Sequence, residues 1–244
     1  MTRFLRRVAF ALAMGFALWG TRGAWADALV VIEARGGTYH PGQTIADGTV
    51  PIPLKDGEQL VLVASSGQIV RLRGPSSQAP LAAGSGQTAD VAGALNSLMT
   101  QKMARTDKAG VVRSQNTMLV PPDPWLMDAT HSGRRCQLPD HPLTFWRPES
   151  STAATLTLMP VDRSWVAELP MKVGADRVDV PINVPVPQRA GFIVRIDGKD
   201  IALTVLAVPA ALQNDMMRVA WMSEMGCDGQ ALSLLHQSPT ASQP

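Results

Sequence analysis

Cys136 and Cys227 are the only cysteines in 244 residues and stand 91 positions apart. Such a pair can supply a thiolate nucleophile, a soft metal ligand or a disulfide, and the compartment decides among them. In HSGRRCQLPDH, His131 and His141 lie five positions either side of Cys136. Zinc sites draw ligands at C-x-x-C or H-x-x-x-H spacing with a second pair farther off. A five-residue interval fits neither, so these histidines read as loop residues. Near Cys227 stand Met216, Met217, Met222 and Met225, with His236 beyond. Thioethers take soft ions, which makes Met216, Met222 and Met225 a candidate Cu(I) site. The competing role is core filling, because Met222 and Met225 share a helical face beside Trp221 and a flexible thioether adapts to irregular gaps.

Other chemistry is weaker. GSGQTA, residues 84–89, mimics the G-x-G-x-x-A turn that cradles a dinucleotide pyrophosphate. That turn works when a parallel strand precedes it and aims a helix N-terminus at the phosphates. GPSSQAPLAA precedes it here, a linker composition, and no cofactor is expected. Serine, histidine and aspartate all occur, yet neither G-x-S-x-G nor S-x-x-K marks a nucleophile. The acids cluster in turns such as KDGE, PDHP and IDGKD, where they serve turn geometry. Arg71, Arg73, Arg134 and Arg135 remain as local cations suited to an acidic glycan, lipid head group or protein.

The compartment is legible at the N-terminus, MTRFLRRVAFALAMGFALWGTRGAWADALVV. Arg3, Arg6 and Arg7 form a positive region, Val8–Gly20 is apolar, and Ala24-Trp25-Ala26 is a small-x-small cleavage pattern. Residues 1–26 read as a signal peptide cut after Ala26, and the expected location is the bacterial periplasm. The apolar run is shorter than the roughly 20 residues a spanning helix needs. Arg22 closes it, so no integral membrane segment is expected after cleavage. No cysteine follows the run to carry a lipid anchor. The whole chain has 22 Lys+Arg against 20 Asp+Glu, and the leader holds four arginines and no acid. Removing it leaves 18 bases against 20 acids, which gives no support for nucleic-acid binding. In an oxidising compartment two cysteines pair, and a loop this long contributes roughly 4–5 kcal/mol in the chain-entropy picture. Cys136 and Cys227 are therefore expected to form a disulfide.

Nineteen prolines, twenty glycines and many short Val/Ile/Leu/Thr runs between turn residues predict a mainly β fold. Residues 27–75 predict a small antiparallel β domain. In EQLVLVASSGQIVRLRGP two β-rich runs flank Ser65-Ser66-Gly67, where glycine can adopt positive φ. Val70 and Leu72 share one face, Arg71 and Arg73 the other, which predicts one wet face. The prolines of TVPIPL suit an edge strand. The succession GGTYHPGQTIADGTVPIPLKDGEQLVLVASSGQIVRLRGP resembles the periplasmic FecR-type β domain. The likeness rests on the glycine-led turn, a G-x-x-I step, an apolar strand near a DG turn and a hairpin with a mid-turn glycine. It implies a β scaffold for protein or glycan contact. The best-known members are membrane-spanning anti-sigma regulators, and the seven residues MTRFLRR before the apolar run leave no room for their sigma-binding domain.

Residues 76–124 predict a linker with one amphipathic helix, capped at Thr88 and striped by Val91, Leu95, Leu98, Met99 and Met103. Residues 125–237 predict an Ig-like β-sandwich with two C-terminal helices. Its strands are PLTFWRP, ATLTLMPV, SWVAELPM, RVDVPINV, GFIVRID and IALTVLAVP, with Asp197-Gly198 as a hairpin turn. Gly226 is expected to end the first helix and Asp228 to cap the second, placing Cys227 in the corner between them. Residues 238–244 read as a disordered tail. The expected role is a non-catalytic periplasmic accessory or sensor binding another envelope protein or glycan, with Arg71, Arg73 and exposed strand edges as the contact. Copper handling by the terminal methionines is the second reading, and an enzyme with a site assembled between domains the third.

Overall fold

Leu29-Val30-Val31-Ile32 is apolar without alternation, the pattern of a strand covered on both faces. The computed structural model of the protein describes residues 28–81, 119–139, 141–181 and 189–238. The expected signal peptide, the helix from Thr88, the GSGQTA segment and the tail beyond Ser238 lie outside those residues. In the first unit β1 (Leu29–Arg35), β2 (Thr44–Ile45), β4 (Gln59–Ala64) and β5 (Ile69–Arg73) form one antiparallel sheet in the order β2-β1-β4-β5. A separate ribbon pairs β3 (Ile52–Leu54) with β6 (Ser76–Gln78). Ser76–Gln78 thus belongs to a strand, where the sequence reading begins the linker. Leu29, Val31, Leu60, Leu62 and Leu72 pack with Ile52 and Leu54 into one core. Val30, Ile32 and Val63 point the other way and join a second core.

The hairpin between β4 and β5 closes as expected. Gly67 N–H donates to Ala64 O and Ala64 N–H to Gln68 O, each at 2.9 Å. Gly67 has φ +88°, and a Cβ there would also lie 3.0 Å from the Met216 carbonyl oxygen. At the preceding turn Glu58 is buried, its Oε2 accepting from Lys55 N at 2.8 Å and its Oε1 from Thr38 Oγ1 at 2.9 Å. The bond from Lys55 N, then that from Thr38, lowers its pKa below the ordinary 4.5. A depressed carboxyl contributes stability above its unfolded pKa and loses it as pH falls through the folded value. Glu58→Gln should therefore narrow the gap in melting temperature between about pH 7 and about pH 3, read by circular dichroism.

The second unit is sandwich-like. A five-stranded sheet runs β11-β10-β13-β14-β8, built from β8 (Gly133–Gln137), β10 (Ala154–Pro160), β11 (Ala167–Met171), β13 (Arg189–Ile196) and β14 (Lys199–Ala207). A three-stranded sheet runs β12-β9-β7, from β7 (Leu126–Asp128), β9 (Thr144–Trp146) and β12 (Arg177–Asp179). Phe145, Leu156, Leu158, Phe192, Val194 and Leu203 fill the core between them. Asp197 and Gly198 both have positive φ, the backbone a two-residue hairpin turn requires. Two pairings are parallel, β8 with β14 and β7 with β9. Neither β7 nor β8 is among the strands expected from sequence. Arg147 is 1% exposed; its guanidinium donates to the carbonyls of Thr152 and Ala175.

The chain ends in α1 (Asp215–Met225) and α2 (Asp228–Gln237). Asn214 caps α1 by accepting from Met217 N, and Gly226 ends it at φ +81°. Cys227 N–H then donates back to Met222 O at 2.8 Å, closing the last turn. The cap of α2 is Cys227, and Asp228 is the first helical residue, one step inside its expected place. These helices are the layer between the β units. Their Val219, Trp221, Met222 and Leu235 share one core with Val30 and Val63 of the first sheet and with Cys136 and Val208 of the second unit. No helix among the described residues is long and apolar enough to cross a membrane.

Candidate functional site

Cys136 and Cys227 are bonded, with Cα atoms 6.0 Å apart and both side chains buried. The bond ties β8 to the start of α2. Beside it Gln230, also buried, accepts from Cys136 N at 2.7 Å and donates from Nε2 to Cys136 O at 2.9 Å and Pro124 O at 2.9 Å. β8 is the end strand of its sheet, and the Gln230 carboxamide takes both backbone groups of Cys136 as a neighbouring peptide would. A glutamine on a helix gives no sequence signal for this role.

The residues expected to do chemistry are dispersed. His131 Nδ1 lies 2.9 Å from Asp128 Oδ2 and 2.9 Å from Thr130 Oγ1. Asp128 is buried and saturated: Oδ1 accepts from Thr130 N and Oγ1, and Oδ2 also meets Arg135 Nη2 at 3.3 Å. Burial lowers the Arg135 pKa from its ordinary value, with Asp128 opposing. Arg135 spends its other donors on the carbonyls of Asp128, His131 and Arg134. Ser132 Oγ, next to the histidine, accepts from Ala202 N. The group locks the connection between β7 and β8. His141 packs at a tilt of 45° against Trp125 with ring centroids 6.0 Å apart, and Cys136 is oxidised. Among the described residues no group of three His, Cys, Asp or Glu side chains could hold a metal ion.

The methionines of α1 are spread around the helix. At 100° per residue Met225 lies across α1 from Met216, and Met222 stands about 120° from Met216. Met222 is wholly buried, with Met216 and Met225 at the margins of the same core. In that core the thioethers fill space between layers.

The arginine face is altered by the helices. Val61, Val63, Ile69, Arg71 and Arg73 lie on the face expected to be wet. Val61, Val63 and Ile69 instead pack in the core shared with the helices, and Arg71 forms an ion pair with Glu224 of α1. Arg134 donates to Met225 O at the end of the same helix. Arg73, beyond the helical cover, is exposed and has no ion-pair partner among the described residues.

The sheet edges differ in how they are closed. β2 has two residues; β11 carries Pro170, which lacks an N–H, beside exposed Glu168; β8 is closed by Gln230. β5 ends its sheet with no described strand on its outer side. Where the two β units meet α1 there is also a cleft of about 1130 Å³, walled by Ile32, Leu206, Val208 and Trp221 among others. No family model matches the chain, and no curated protein matches it either.

Proposed function

We propose that the chain is an exported, non-catalytic envelope protein that binds another periplasmic macromolecule, a protein or a glycan, along the outer edge of β5. The observation that carries this reading is the open edge itself. β5 is the terminal strand of its sheet, no described strand pairs with its outer side, and Arg73 stands exposed on it. Export is supported by the charged, apolar and small-x-small succession of residues 1–26 and by a buried disulfide suited to an oxidising compartment. The FecR-type pattern of the first unit supports a contact scaffold.

Arg73 is the clean probe, because Arg71 is committed to Glu224. Arg73→Glu should weaken binding to the envelope partner by about tenfold and flatten its salt dependence, as charge reversal at an interface rim does. Crosslinking in intact cells followed by affinity measurement with the purified partner checks this. Unchanged affinity across Arg73→Glu would remove the β5 edge as the contact.

A further inference from the structure

We infer that the cleft between the β units and α1 binds an anionic amphiphile: its chain lies on the apolar walls, a donor near its head meets Gln137, and its negative group meets Arg189. This site is separate from the β5 edge, so its failure would leave the proposed macromolecular contact standing. The cleft volume of about 1130 Å³ is slightly above the range of small-ligand sites, roughly 300–1,000 Å³.

Gln137 lines this cleft and is 6% exposed. Its Nε2 donates to the carbonyls of His141 and Pro142, which fixes the orientation of the amide. Its Oε1 is left as the one buried side-chain polar atom without a partner among the described residues. An unpaired buried acceptor costs about 1–3 kcal/mol, and a ligand N–H or O–H would recover part of that. Arg189 stands exposed on the same lining and has no ion-pair partner among the described residues.

The walls decide between a peptide and an acyl chain. Pro41, Pro139, Pro142, Pro181 and Pro209 all line the cleft, and none has an N–H to give. The Gln137 Nε2 donor is already spent. A peptide would bring a carbonyl with every residue and find few donors, at the cost of burying unpaired polar groups. A hydrocarbon chain brings no polar groups along its length and needs partners only for the amide and the charge at its head.

The test uses the oxidised mature chain and two probes below their micellar concentrations, followed by titration calorimetry. N-dodecanoylglycine carries an amide N–H and a carboxylate; its N-methyl analogue carries a methyl group in place of the N–H. Changing the probe, and leaving Gln137 in place, keeps protein folding out of the comparison. One-to-one binding is expected, about tenfold tighter for the N–H probe, the equivalent of one buried hydrogen bond. Arg189→Gln should weaken both probes, and Ala210→Trp, a change at an exposed lining residue, should abolish binding. Equal affinity for the two probes would overturn the role of Gln137. Absence of binding to the intact chain, or binding untouched by Ala210→Trp, would overturn the site.

Discussion

Reducing the disulfide is expected to lower the stability of the folded chain by about 4 kcal/mol. The bond closes a loop of 91 positions, and in the chain-entropy picture the constraint acts mainly on the unfolded state. Its sulfurs lie inside the core shared by the two β units and the helices. Opening it removes one of the two fastenings between the helical layer and β8, the other being Gln230, without any change of side-chain volume. Guanidinium unfolding with and without a thiol reductant measures the difference. A shift below about 1 kcal/mol would mean that hydrophobic packing alone holds the helices in place.

Gln230→Leu is the second, with an expected loss of about 3–5 kcal/mol. Leucine fills a similar volume but leaves Cys136 N, Cys136 O and Pro124 O without their present partners, all near a dry core. Each orphaned group costs about 1–3 kcal/mol, and the three sum incompletely because they share one side chain. Gln230→Glu keeps the acceptor for Cys136 N but sets a buried carboxylate against the carbonyls of Cys136 and Pro124, so it should be at least as destabilising as leucine at neutral pH and recover as the pH falls. Since Gln230 and the disulfide join the same two elements, the loss on Gln230→Leu should differ between oxidised and reduced protein. Strict additivity in a double-mutant cycle would show that the two fastenings act independently.

What was legible in the sequence was local or pairwise. Gly67, Asp197-Gly198 and Gly226 each mark a backbone turn that needs positive φ, and the structure places all three there. The two cysteines had only each other to pair with. What was illegible depends on contacts distant in sequence. β8 reads GRRCQ, polar and unpatterned, and becomes a strand through parallel pairing with β14 and the clasp of Gln230. The alternation of β5 correctly separated Val70 and Leu72 from Arg71 and Arg73, but could not show that a helix some 150 positions later would cover part of the arginine face. The near-continuous apolar run of β1 carried that information, since a strand with one wet face should have alternated. Gln137 and Arg147 were equally hidden, because their partners are backbone carbonyls that every sequence contains.

The proposed role is that of an exported, disulfide-stapled protein that holds an envelope partner. Native mass spectrometry of the protein released gently from its own envelope tests it most directly. The expected mass begins at Asp27, is two hydrogens lighter than the reduced chain, and travels with a partner that Arg73→Glu releases. A mass that retains residues 1–26, with two free thiols and nothing bound, would contradict it.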